Sequence, residues 1–123
     1  AYLLDLAAAY AAAARARPAL FALLFAAPVP VYTPDHDAQI AARVSFAHIV
    51  TAGAAWLAAR RGRPAPDPQV AWHDPHAVAL ARALWATVHG HVMLEHANHA
   101  TPEQTDQMIG VVVTALIGGW REG

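Results

Sequence analysis

Apolar residues recur at helical spacing from the first turn of the chain. Leu3, Leu6 and Tyr10 lie three or four residues apart, and alanines continue this stripe until two arginines supply a cationic last turn. The spacing predicts a first helix that ends near Arg17. Pro18 can occupy a first helical position, so the pattern predicts a short second helix, or a kinked continuation, over residues 18–26.

Three longer helices are predicted further along, and each opens with a capping residue directly before a proline. The pairs are Thr33-Pro34, Asp74-Pro75 and Thr101-Pro102, and Gln104 completes a capping box in the third. We expect these helices to end near residues 61, 97 and 118. The stretch 62–74 is rich in proline and is predicted to be a loop.

No apolar run alternates with period two between hairpin turns, so we find no predicted strand. The chain has 123 residues, which suits one domain with a single core. The sequence therefore predicts an all-α fold, an orthogonal or antiparallel bundle of about five helices, with one domain over residues 1–123.

The last two predicted helices carry apolar side chains around much of their circumference. A helix of this kind must be covered on more than one side, and in so small a chain a second subunit can supply the cover. We therefore predict a homodimer built on a four-helix interface, with two helices from each copy. The alternative is that these faces pack on the first three helices. The predicted interface residues are Leu80, Leu84, His91, Leu94, Met108, Val112, Leu116 and Trp120.

Aromatic residues come from several predicted helices and indicate a cavity for a lipophilic or aromatic small molecule. The alternative is that these rings fill the core. His89 either contacts the ligand or joins neighbouring helices through a core hydrogen bond. Gly90 is unfavourable within a helix, so we expect it, and also Gly53 and Gly110, at a close helix approach or cavity wall. The predicted ligand-binding residues are Phe21, Phe25, Tyr32, Phe46, Ile49, Val50, Trp56, Trp85 and His89.

Charge and composition exclude several functions. The formal net charge is −1, and only Arg60, Arg61 and Arg63 approach a basic cluster, so we expect no direct DNA binding by this segment. The absence of cysteine excludes disulfides and thiolate metal sites. Prolines and arginines interrupt the apolar stretches, so we predict a soluble, cytoplasmic protein without a membrane partner.

Histidines are numerous, but their spacing does not form a recognised metal motif. Four of them cluster at the end of the fourth predicted helix: His89, His91, His96 and His99. His89 and His91 nevertheless lie on different sides of that helix. We therefore predict no metal and no cofactor. Ser45 has no evident acid partner, and phosphate-binding and dinucleotide-binding glycine patterns are missing, so we also predict that the chain is not an enzyme.

The run from Leu84 to Glu95 resembles the signature helix of a group of TetR-family C-terminal domains named for tryptophan, histidine and glycine. Trp85, His89 and Gly90 match that signature. The first helix, followed by Pro18 and a short apolar stretch, is similar to the opening of those domains. The resemblance follows the helix order of the whole chain.

This resemblance implies the ligand-binding and dimerisation domain of a transcriptional repressor. It implies a dimer formed by the last two helices, an effector cavity within each protomer, and operator DNA bound through a helix-turn-helix domain on the N-terminal side. Since the sequence contains no such headpiece, we expect it to be a fragment of a longer protein. The alternative function is a standalone helical dimeric scaffold or binding module without a link to DNA.

Overall fold

The computed structural model describes residues 2–19 and 36–121, and this part of the chain is helical without strands. The predicted all-α fold is therefore confirmed. The Thr33-Pro34 cap and most of the predicted helix over residues 18–26 lie outside the described residues. The described helices are α1 (Tyr2–Ala16), α2 (His36–Arg60), α3 (Pro68–Trp72), α4 (Pro75–His96) and α5 (Pro102–Gly118).

The predicted helix starts at Asp74 and Thr101 are confirmed. The Asp74 carboxylate accepts the amide N–H of His76 at 2.9 Å, which satisfies one of the free donors in the first turn of α4. At α5, the Thr101 hydroxyl accepts the Gln104 amide at 3.2 Å, and the Gln104 side chain accepts the Thr101 amide at 2.9 Å. This is the reciprocal capping box predicted from the sequence.

The stretch 62–74 is not entirely a loop, and on this point the prediction was wrong. It contains α3, a single short helix that starts with the same device as its neighbours, because Asp67 caps the Gln69 amide at 2.9 Å and Pro68 follows it. The helix was missed because five residues are too few to show an apolar period. It carries Trp72 back toward α2.

The ends of α2 and α4 are closed by residues with a left-handed backbone. Gly62 has φ +68°, and the amide of Arg63 donates to the carbonyl of Ala58 at 2.8 Å. Asn98 has φ +65° after α4, and the His99 amide donates to the Leu94 carbonyl at 2.8 Å. Both patterns satisfy carbonyls that a helix end leaves free, so both helices stop sharply.

Helix α4 lies at the centre of the fold and packs against α1, α2 and α5. Its inner side chains join a core whose largest fully buried members are Leu57, Leu80, Val50, Val113 and Thr105. Among the described helices, α4 alone is long and apolar enough to cross a membrane by length and composition. It contacts each of the other four described helices.

An apolar cavity between α1, α2 and α4

A cavity of about 260 Å³ lies where α1, α2 and α4 meet. Helix α1 supplies most of its wall, because residues at successive turns of this helix face the same side. Ala9, Ala13 and His48 are exposed and form the rim. The lining residues are Leu3, Leu6, Ala7, Ala9, Tyr10, Ala13, His48, Ile49, Leu84, Trp85 and Val88.

A chain of hydrogen bonds joins α1 to α4 beside this cavity. The Trp85 indole Nε1–H donates to the Tyr10 hydroxyl at 3.3 Å, and the same hydroxyl lies 2.8 Å from His89 Nδ1. Trp85 and His89 are four residues apart, so they lie on one face of α4 and both reach the phenol of Tyr10. The bond between this hydroxyl and His89 Nδ1 runs in either direction, according to the tautomer of the imidazole. His89 therefore joins two helices, as one of the two alternatives for this residue predicted.

Burial around this hydrogen-bonded group favours uncharged side chains. It lowers the pKa of His89 below the ordinary value of 6.5. It also raises the pKa of Tyr10, an effect that the hydrogen bond from Trp85 partly opposes. A neutral imidazole can accept the phenol proton at Nδ1, so the two directions agree with the hydrogen-bond arrangement.

Aromatic rings continue from this group toward α3. The ring centroids of Phe46 and Trp85 are 5.5 Å apart, and those of Phe46 and Trp72 are 5.7 Å apart, with tilted planes in both pairs. These separations lie in the range of favourable aromatic contacts. Phe46 therefore connects the short helix α3 with the wall of the cavity.

The predicted ligand-binding residues divide into three groups in the structure. Ile49 and Trp85 line the cavity, and Phe46 and His89 contact lining residues. Val50 is fully buried in the core and does not line the cavity. Trp56 also lies elsewhere, with the Arg60 guanidinium 4.7 Å above its ring. Phe21, Phe25 and Tyr32 lie outside the described residues.

Tyr10 and Trp72 belong to this region but were not among the predicted site residues. Tyr10 stands on the apolar stripe of α1, and a hydroxyl on such a stripe signals a buried polar partner. Trp72 follows the Asp67-Pro68 cap, which would have placed it on a helix. The small lining residues Ala7, Ala9 and Ala13 have no distinguishing signal, because alanines occur throughout α1.

A second polar cluster ties the end of α1 to the junction between α4 and α5. Arg15 Nε and Nη2 donate to the two oxygens of Glu95 at 2.8 Å each, and Nη2 also contacts Asp106 Oδ1 at 2.7 Å. The hydrogen bonds from Arg15 hold the pKa of the Glu95 carboxyl below its usual range, and the two carboxylates raise the pKa of Arg15. A second cavity, of about 180 Å³, borders Arg15 and Glu95.

This pairing also bears on the histidine cluster at the end of α4. Glu95 is the acidic residue spaced to meet His91 and His99, but its carboxylate pairs with Arg15. Within residues 2–19 and 36–121, no group of three or more His, Asp or Glu side chains is arranged to hold a metal ion.

The predicted dimer-interface residues also separate in the structure. Leu80 and Leu84 are buried within the protomer, where Leu80 lies near Gly53 of α2 and Leu84 lines the cavity, so neither side chain is exposed to a partner. His91, Val112, Leu116 and Trp120 are half-buried. Leu94 and Met108 are exposed, as is Val111, which the sequence prediction did not include.

The three glycines expected at close approaches behave differently. Gly53 of α2 meets α4 closely, since an added Cβ would lie 3.5 Å from Leu80 Cδ2. Within the protomer, a Cβ at Gly90 or Gly110 would meet nothing within 4 Å. Neither Gly90 nor Gly110 therefore marks a close helix approach inside this chain.

Comparison with protein families gives a match that spans nearly the whole chain. Residues 3–116 match the family described as "Tetracyclin repressor-like, C-terminal domain". Neither curated proteins nor solved structures gave a significant match. The matched region contains α1 to α4 and most of α5, and thus the cavity and the Trp85–Tyr10–His89 group. The chain therefore belongs to the family of tetracyclin repressor-like C-terminal domains.

Proposed function

We propose that this domain senses a small lipophilic or aromatic effector and dimerises, as the regulatory part of a transcriptional repressor. The observation that carries the proposal is the apolar cavity between α1, α2 and α4. Concave sites with mostly apolar walls and a few polar groups are typical of small-molecule binding. Where this domain follows an N-terminal helix-turn-helix domain, the effector would control operator binding by that domain. The proposal places this regulator in the cytoplasm.

The position of the cavity suggests how a ligand would act. Its walls come from α1 and α4, and the same two helices are joined by the hydrogen bonds of Tyr10. A ligand that binds better to one arrangement of α1 and α4 shifts the population toward it. Because α4 also carries the exposed Leu94, a changed arrangement of α1 and α4 would move part of the surface proposed for dimerisation. A changed dimer would alter the spacing of two headpieces on DNA half-sites.

The proposed dimer surface consists of the exposed apolar residues of the last two helices, Leu94 on α4 and Met108 and Val111 on α5. Helices α4 and α5 pack against each other, so one protomer presents both to a partner. Two such pairs form a four-helix interface. The half-buried His91 and Val112 lie on the same two helices and would complete the contact.

The sensing function is tested by calorimetric titration and thermal shift with a library of aromatic and aliphatic compounds. Ala13→Leu fills the rim of the cavity, and Ala12→Leu adds the same side chain at an exposed neighbouring position that does not line it. We expect a compound that stabilises the wild type and the Ala12→Leu variant but binds Ala13→Leu at least ten-fold more weakly.

Absence of any stabilising compound would contradict the sensing function. The link to DNA is tested on a protein in which this domain follows a helix-turn-helix domain, by measuring operator binding with and without the compound. A compound that binds in the cavity without changing operator affinity would favour a binding module that is not linked to DNA.

A further inference from the structure

We infer that the cavity between α1, α2 and α4 selects uncharged ligands, of the size of one or two aromatic rings, and excludes carboxylates and ammonium ions. The inference rests on the proposed function, which makes this cavity the effector site. It goes further by naming the charge and size of the effector. Its grounds are the lining side chains, the response of neighbouring titratable groups and the volume.

No arginine, aspartate or glutamate belongs to the described lining of the cavity. An ionised group moved from water into such surroundings loses its hydration, and the described lining offers no carboxylate or guanidinium to offset the loss. The titratable side chains of the lining are Tyr10 and His48. His48 is exposed at the rim, so it contacts water and does not bring a compensating charge into the interior.

Burial shifts the pKa of two protein groups beside the cavity, and it would act on a charged ligand in the same way. Burial raises the pKa of the Tyr10 phenol and lowers the pKa of the His89 imidazole. The first group is an acid and the second is a base, yet both shifts favour the uncharged form. Desolvation, rather than attraction to a charge of one sign, is the cause common to both. A ligand carboxylate or ammonium would meet the same penalty.

The volume sets the size of the ligand. An apolar cavity of roughly 150 Å³ in another protein binds benzene. The cavity here measures about 260 Å³, enough for a substituted ring or two fused rings. Trp85 provides an aromatic wall at which such a ring finds an offset or edge contact.

The test compares an uncharged alcohol with a carboxylate on the same ring. Calorimetric titration at neutral pH uses 2-naphthalenemethanol against 2-naphthoate, and benzyl alcohol against benzoate, on the wild type, Ala13→Leu and the Ala12→Leu control. We expect at least one alcohol to bind at least ten-fold tighter than its carboxylate. We also expect that affinity to fall at least ten-fold in Ala13→Leu but stay within two-fold in Ala12→Leu.

Other results overturn the inference in distinguishable ways. If a carboxylate binds as tightly as its alcohol and Ala13→Leu blocks both, the charge selectivity is wrong while the sensing function stands. If the alcohols bind equally well to Ala13→Leu, the ligand lies outside this cavity. If neither these four compounds nor any member of the wider library binds, the sensing function fails, and the inference fails with it.

Discussion

The Tyr10 hydroxyl of α1 and His89 Nδ1 of α4 form a hydrogen bond of 2.8 Å between residues 79 positions apart in the chain. Trp85 donates to the same hydroxyl from one turn earlier on α4. The tryptophan and histidine of the sequence signature therefore share one structural partner, and their four-residue spacing follows from the helical repeat. The shared phenol stands in the wall of the cavity, so the signature helps to fix the geometry of the site.

Removal of the Tyr10 hydroxyl should destabilise the protein. In Tyr10→Phe, the ring remains but the half-buried Trp85 and His89 lose the hydroxyl that they share, and an intramolecular hydrogen bond contributes about 0.5–1.5 kcal/mol. We expect a decrease of about this size in the free energy of unfolding, measured by urea denaturation. In a double-mutant cycle with His89→Ala, the two losses should be less than additive. Additive losses would show that the hydrogen bond contributes nothing.

The pKa of His89 predicts a loss of stability in mild acid. Its folded-state pKa lies below the ordinary 6.5, so below that pH the unfolded chain binds a proton that the folded chain does not. Protonation then favours unfolding, and stability should decline as the pH falls from about 7 until the folded-state pKa is passed. Urea denaturation across this range should show a shallower decline for His89→Gln. Ala86→Gln, at an exposed position of the same helix, adds the same side chain without removing a titratable group and should retain the wild-type slope.

Local signals explain which parts of the fold could be predicted from the sequence. The starts of α4 and α5 depend on Asp74 and Thr101 and on residues two or three positions later, so the sequence contains all the groups involved. The end of α2 depends on Gly62 in the same way. The family resemblance added the order of the helices and the importance of Trp85 and His89.

Contacts between distant segments could not be predicted in the same way. Periodicity shows that α4 is apolar on most sides, but it does not tell which side meets α2 and which meets solvent. Leu80 and Leu94 were therefore both predicted to lie in the dimer interface, although Leu80 is fully buried in the protomer and Leu94 is 48% exposed. Tyr10 was recognised as part of a stripe, but its pairing with His89 depends on how α1 crosses α4.

The ion pairs of Arg15 should differ in their contribution to stability. The Glu95 side chain is 14% exposed and accepts from both Nε and Nη2 of Arg15, whereas Asp106 is 59% exposed. We expect Glu95→Ala to lower the free energy of unfolding by about 1.5–3 kcal/mol, the range for hydrogen bonds to charged groups. Asp106→Ala should cost less than about 1 kcal/mol, because water screens exposed pairs. Equal losses in urea denaturation would contradict this ranking.

Substitution of Gly90 by alanine tests whether a partner contacts the outer face of α4, and it introduces no charge. An added methyl group meets nothing within 4 Å at Gly90 or at Gly110, so alanine at either position should stabilise the protomer by about 0.5–1 kcal/mol through helix propensity. Gly90 lies one turn before Leu94 on α4, where a partner would approach. We therefore expect Gly90→Ala to weaken the dimer in sedimentation equilibrium, whereas Gly110→Ala leaves the dimer unchanged. A dimer strengthened equally by both variants would place the interface elsewhere.

The proposed dimer should depend on Leu94. A carboxylate at this position would lose its hydration against an apolar partner, so Leu94→Asp should convert the protein to a monomer at micromolar concentration. Val70→Asp is the matched control, because Val70 is 60% exposed but lies on α3, which is not part of the proposed interface. Light scattering and sedimentation velocity distinguish one copy from two. A wild-type monomer, or a Leu94→Asp dimer as stable as Val70→Asp, would contradict an interface on α4. In the expected case, the helix that lines the cavity with Leu84, Trp85 and Val88 also holds the partner through Leu94, and occupancy of the cavity can change pairing through a single helix.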